Sequence, residues 1–163
     1  MIKAILMDFN GVIINDEPVQ MRAYQEVLKR EGIDLSERDY YGSLGMDDRT
    51  FTRAAYERAG KTCDEVKVSE ITAAKTVAWK AEISRDLPLF EGVEDFIAKS
   101  AQEFALGLVS MAKLEEIEHV LKETGLRRYF PILVTAEDVS NCKPDPECFR
   151  IGFERLDAHR TAS

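Results

Sequence analysis

The sequence predicts an α/β protein: a parallel sheet that is interrupted, directly after its first strand, by a block of helices. Three observations carry this. A near-continuous apolar run opens the chain, about seventy residues of purely helical patterning follow, and strand and helix patterns alternate thereafter.

Ile2 to Met7 reads as a strand buried on both faces, because the run alternates little and is almost wholly apolar. The chain then turns at Asp8-Phe9-Asn10-Gly11. From Asp16 to Arg30, with Pro18 in the first turn, Val19, Ala23, Tyr24, Val27 and Leu28 follow helical spacing, and Gly32 ends the pattern. A second helix is predicted from Asp47 or Asp48 to Ala59, closed by Gly60. A third, from about Asp64 to Ser84, carries Val68, Ile71, Val77, Trp79 and Ile83. No strand pattern interrupts residues 16–86. Pro88, Phe90 and Gly92 punctuate the exit. Then come a helix from Val93 to Ser100, a strand from Ala105 to Val109, a helix from Lys113 to Thr124 with Gly125 beyond it, and a strand from Ile132 to Thr135. The last helix opens at Pro144 or Pro146, where a missing N–H costs nothing, and is predicted to run to about Leu156. Alternation of this kind builds right-handed βαβ units. The expected architecture is a parallel, Rossmann-like sheet in a discontinuous core domain, residues 1–15 and 89–163, with residues 16–88 inserted as a helical cap.

Composition bounds the partners. The 163 residues suit one compact domain or a core with a modest insert, and 45% hydrophobic residues suffice for a core. A net charge of −8, with acids spread along the chain, excludes a general nucleic-acid binder, which needs a basic surface to displace counterions. The three cysteines, Cys63, Cys142 and Cys148, are odd in number and lack CxxC spacing, as expected of free thiols in a reducing compartment. His119 and His159 are too few and too separated for a zinc site. The opening apolar run, broken by Asp8 and Gly11, is too short for a signal peptide or membrane span, so no membrane partner and a cytoplasmic setting are expected.

In parallel α/β sheets, ligands sit beyond the carboxyl ends of the strands. Asp8 follows the first strand, Ser110 the second, and Lys143 lies in the loop after the third. Taken alone, each has an ordinary use: a turn or helix cap for the Asp and the Ser, a solvated loop cation for the Lys. Together, a carboxylate, a hydroxyl and an ammonium suit phosphate. Asp8 can attack phosphorus, Ser110 can donate to a phosphoryl oxygen, and Lys143 can offset the charge of both. A carboxylate facing a dianion also calls for a metal cation between them.

The segment DFNGVIIND resembles the first motif of the haloacid dehalogenase-like superfamily, an Asp-x-Asp-Gly-Val/Thr run after a buried strand. LVSMAK resembles its second motif, and NCKPDPECF the Lys-Pro-x-Pro third motif of the β-phosphoglucomutase-like branch. With the helical insert after the first motif, the resemblance covers essentially the whole chain. It implies phosphoryl transfer from a small phosphorylated metabolite, such as a sugar phosphate, most often to water, through an aspartyl-phosphate on Asp8. A mutase returning the group to a sugar phosphate is the neighbouring reading. It further implies Mg²⁺ held by the Asp8 carboxylate and the main-chain carbonyl of Asn10. Gly11, Met111 and Ala112 would join Ser110 in holding phosphate, and Lys143 would pair with Asp8. Arg49 stands where relatives place a substrate-reading arginine, although a solvated charge at a helix start accounts for it equally well. Lys75 and Trp79 resemble cap features near the active site, with structural pairing and core packing as their plainer uses.

Two departures qualify these implications. The second Asp of the first motif is Asn10 here, and an amide has no proton to give near neutral pH, whereas its main-chain carbonyl is unchanged. A natural variant, a trapping substitution and a specialised chemistry each explain it. A catalytically silent module that binds a phosphorylated ligand or a protein is therefore the alternative from another class. The family's fourth, acid-bearing motif is also absent, and two further βα units would take roughly 45 residues. In the family the first strand is central, so an unpaired apolar edge is expected along Ile2–Met7, to be completed by a partner chain or a further C-terminal segment. Asp157, on or just past the last helix, is not expected to reach the site.

Overall fold

The computed structural model describes residues 2–162. Its strand β1 (Ala4–Met7) is shorter than the apolar run that encodes it. Ile2 lies outside the strand and is 73% exposed, so the expectation of a strand from Ile2 is corrected at its amino end. The described residues fall into two compact units, one running to Asn15 and resuming at Pro88, the other spanning Asp16–Leu87. Pro88 goes with the sheet because its carbonyl accepts the Asn15 N–H at 2.7 Å, and Ile14 bridges Leu89 beside it.

The second unit is helical among its described residues. Helix α1 (Glu17–Arg30) begins at Asp16 with Pro18 in its first turn, and buries Val19, Tyr24, Val27 and Leu28. A short helix α2 (Glu37–Tyr41), absent from the expectations, is capped by Ser36, whose hydroxyl accepts the Asp39 N–H. Helices α3 (Asp48–Arg58) and α4 (Glu65–Ile83) are capped by the Asp47 and Asp64 side chains. Tyr24, Tyr40, Phe51, Tyr56 and Ile71 form the centre of its core. The buried face of α4 mixes Val68, Ile71 and Trp79 with Thr72, Lys75 and Thr76. Lys75 is 2% exposed and tolerates this through Asp48, 3.1 Å away, and the Tyr24 ring beneath its ammonium. Trp79 is fully buried and donates to Asp16 Oδ2 at 2.8 Å.

In the first unit, α5 (Val93–Glu103) leads into β2 (Ala105–Val109), α6 (Leu114–Glu123) into β3 (Ile132–Val134), and α7 (Glu147–Ala162) closes the described chain. Both strand pairs are parallel. Ala4 lies opposite Ala105, Met7 opposite Leu108, and Val109 opposite Val134. The order is β1-β2-β3, which leaves β1 at an edge among the described residues. Helix α7 lies across all three strands, its close approach set by Gly152, whose modest size leaves room for Leu6 and Val109. It buries Cys148 and Leu156 and continues past Leu156, where it was expected to end. No Gly or Pro follows to stop it, and Asp157 is therefore a helical residue. Leu106 and Leu108 alternate with Gly107 and Val109, and are buried toward the opposite face of the sheet.

Candidate active site

The chain leaves β1 through a tight loop. Phe9 is fully buried, and its N–H turns back onto Asp8 Oδ1 at 2.8 Å. Its carbonyl accepts the Ile13 N–H, while Gly11 donates to Ile14 O at 2.8 Å. Gly11 takes φ +74°, a conformation in which any side chain is strained. The loop thereby fixes Asp8 and Asn10 just beyond the strand. Asp8 remains 41% exposed at its side chain, open enough to meet a ligand.

Lys143 arrives from the loop after β3. Its Nζ lies 2.8 Å from Asp8 Oδ2 and donates to Val109 O, the last carbonyl of β2, at 3.1 Å. The Phe149 ring sits 5.4 Å from the ammonium, and Lys143–Pro144 is a cis peptide. Ser110 follows β2 and extends its ladder, donating its N–H to Val134 O at 2.9 Å. It is 1% exposed. Its Oγ accepts the Ala112 N–H at 3.1 Å and lies 3.5 Å from Asn10 Oδ1. Asp8, Asn10, Ser110 and Lys143 are thus brought together by three strand ends, with Gly11, Met111 and Ala112 in the adjoining loops. Arg49 belongs to the helical unit. It lies in the first turn of α3, pairs with Glu65 and its Nη1 is 3.4 Å from Ser69 Oγ. Glu65 is held below the usual carboxylate range by hydrogen bonds from Arg53 and then Arg49.

A group of residues that the motifs did not single out braces this site from β3. Thr135, 1% exposed, forms a capping box with Asp138 over a short 3-10 turn, Ala136–Asp138. Burial, the largest influence on Asp138, pushes its carboxyl up, but hydrogen bonds from Arg155 and Thr135 outweigh it and hold the group below the ordinary Asp range. Glu137 accepts the Thr135 hydroxyl at 2.7 Å and the Leu114 N–H at 3.2 Å on each oxygen. The Thr135-x-x-Asp138 spacing was the available signal.

No group of three or more His, Cys, Asp or Glu able to hold a metal occurs among the described residues. Mg²⁺ does not require one, since it is often bound through one or two carboxylates, the remaining positions going to water and substrate phosphate. The exposed Asp8 carboxylate beside the Asn10 main chain fits that sparse requirement. None of the described helices is long and apolar enough to cross a membrane.

The chain and its fold are similar to those of known proteins. The chain is 26% identical over 159 residues to the phosphorylated carbohydrates phosphatase of Thermotoga maritima, covering 94% of this chain and 70% of that protein. Its fold matches a crystal structure of β-phosphoglucomutase from Clostridium difficile with a TM-score of 0.87 and 22% identity, covering 96% of this chain and 72% of that one. CbbY from Rhodobacter sphaeroides, solved in complex with phosphate, matches with a TM-score of 0.83 and 24% identity, over 96% and 73% of the two chains. The family model described as haloacid dehalogenase-like hydrolase matches residues 5–163, and the chain belongs to that family.

Proposed function

We propose that this chain handles phosphomonoesters of small metabolites, sugar phosphates among them, with Asp8 as the nucleophile. The observation that carries the reading is the 2.8 Å contact between Asp8 and Lys143, beside a buried Ser110 hydroxyl at the carboxyl ends of parallel strands. In this reading an Asp8 oxygen attacks phosphorus, the bond to the ester oxygen breaks, and the phosphoryl group rests on Asp8 as an acyl phosphate until water removes it. Lys143 orients the nucleophile and balances negative charge, and Ser110 with the Met111 and Ala112 backbone holds phosphoryl oxygens. When bound by Asp8 and the Asn10 carbonyl, Mg²⁺ supplies charge neutralisation between carboxylate and phosphate. Asn10 cannot protonate the leaving oxygen, so the reaction is slow or confined to good leaving groups. By the family resemblance, Arg49 is the proposed substrate-reading arginine of the helical unit. The names of the relatives, a carbohydrate-phosphate phosphatase and a phosphoglucomutase, support the substrate class. The free thiols and acidic charge accord with a cytoplasmic setting.

Orthophosphate release from a panel of sugar phosphates, with and without Mg²⁺, tests the proposal. Asp8→Ala should abolish release, and a phosphorylated Asp8 peptide should be trapped by rapid acid quench. Release unaffected by Asp8→Ala would overturn it. Asn10 favours a second reading, a module that binds phosphorylated ligands without turnover. Saturable binding of a sugar phosphate without orthophosphate release or acyl phosphate would select it.

A further inference from the structure

The loop Ser110–Lys113 joins β2 to α6 and, in the proposed function, holds the phosphoryl group. Its geometry depends on how α6 begins, and the sequence starts that helix badly. The N-cap position is Lys113, which makes no side-chain cap hydrogen bond. A lysine there offers no acceptor to the first-turn N–H groups, and its charge opposes the positive end of the helix dipole. The missing acceptor comes from another segment. Glu137, beyond β3, receives the Leu114 N–H on both carboxylate oxygens at 3.2 Å, and is itself anchored by the hydroxyl of buried Thr135 at 2.7 Å. One residue earlier, Ala136 N–H donates to Ala112 O at 3.3 Å, so the same short turn grips the loop on both sides of Lys113.

We propose that Glu137 is a positioning residue for phosphate binding. It caps α6 from outside the helix and thereby sets the backbone of Ser110–Lys113 in the conformation that receives a phosphoryl group. This rests on the phosphate-site reading above. Glu137 touches no substrate in this scheme. It acts through Leu114 N–H and the loop behind it.

Three variants and two readouts test this. Inorganic phosphate affinity of the folded chain is measured by calorimetry well below the unfolding midpoint, and exchange of the Leu114 amide is followed by mass spectrometry or NMR. Glu137→Ala should weaken phosphate binding about tenfold and speed Leu114 exchange by a similar factor, since the loop loses its external cap. Glu137→Gln retains one acceptor oxygen and should recover most of the affinity. Ser110→Ala reports on the site itself. If it weakens phosphate binding while Glu137→Ala lowers only the unfolding midpoint, Glu137 is merely structural and the positioning proposal falls. If Ser110→Ala also leaves phosphate affinity unchanged, the phosphate-site reading is what fails. Should Glu137→Ala not fold, Glu137→Met, which keeps the length of the side chain and removes both acceptor oxygens, takes its place: weaker phosphate binding with faster Leu114 exchange supports the proposal, and wild-type values for both overturn it.

Discussion

Asn10 presents an amide 3.5 Å from the Ser110 hydroxyl, where the proposed phosphoryl transfer would benefit from a titratable proton. Positioned acid–base groups contribute about 10²–10⁴-fold. Asn10→Asp should therefore raise steady-state turnover of a phosphomonoester by about two to four decades. Mg²⁺ dependence should barely change, because the proposed metal donor at this position is a main-chain oxygen. An unchanged kcat would remove position 10 from the acid–base role. Asp138 offers a prediction of another kind. Its folded pKa lies below the unfolded value, so its contribution is present above the ordinary Asp range and is lost as pH falls through the folded pKa. Asp138→Asn should cost about 1–3 kcal/mol at pH 7 and less in acid, where the wild type has protonated too. Denaturant midpoints from pH 7 to pH 2 check this, and equal losses at both ends would refute it. Asp8 and Ser110 were legible because a polar residue straight after a buried strand must lie at the strand's carboxyl end, and Lys143, nine residues beyond β3, was legible only through its Lys-Pro-x-Pro setting. Glu137 was not. It carries no periodicity, and its partner Leu114 is 23 residues away in sequence.

Elements were legible where burial and punctuation coincide. Ala105–Val109 is bounded by a helix exit and a polar turn, and β2 occupies those residues. The five-residue α2 escaped notice because one turn shows no period, and its identity rests on the Ser36 cap. The polar stripe on the buried face of α4 blurs the apolar period there, and no sequence rule pairs Lys75 with Asp48 across two helices. Gly107 is a clearer case of packing written as a missing side chain. A Cβ at this central strand position would stand 2.6 Å from Ile132 Cδ1 and 2.7 Å from Leu6 Cδ2, on neighbouring strands on either side. Relief on one side crowds the other. Gly107→Ala should destabilise the protein by about 1–3 kcal/mol, the usual cost of overpacking. Equilibrium urea unfolding would show this, and a gain in stability would mean that the neighbours repack freely.

At the scale of the whole molecule, the sheet presents β1 with a partner on one side only, among the described residues. Strand edges of this kind expose backbone donors and acceptors that favour pairing with another strand. Helix α7 adds apolar surface beside that edge. Arg155 reaches Leu133 O, so it marks the β3 flank of the helix. Phe153 precedes it by two residues, about 200° around the helix, and therefore lies on the β1 flank, with Phe149 one turn before it. The two phenylalanines are 57% and 40% exposed. A net charge of −8 opposes the approach of two copies, and salt screens that repulsion. The chain should therefore self-associate across β1 as concentration rises, and more strongly at high salt than at low. Phe153→Lys should shift the equilibrium toward monomer without altering the fold, since the side chain is already largely in water and a cation there dislikes an apolar interface. Sedimentation velocity across a concentration series at low and high ionic strength decides the point. A single monomeric species under all these conditions would mean that β1's edge is protected, with its short length and the surrounding charge sufficient to prevent pairing.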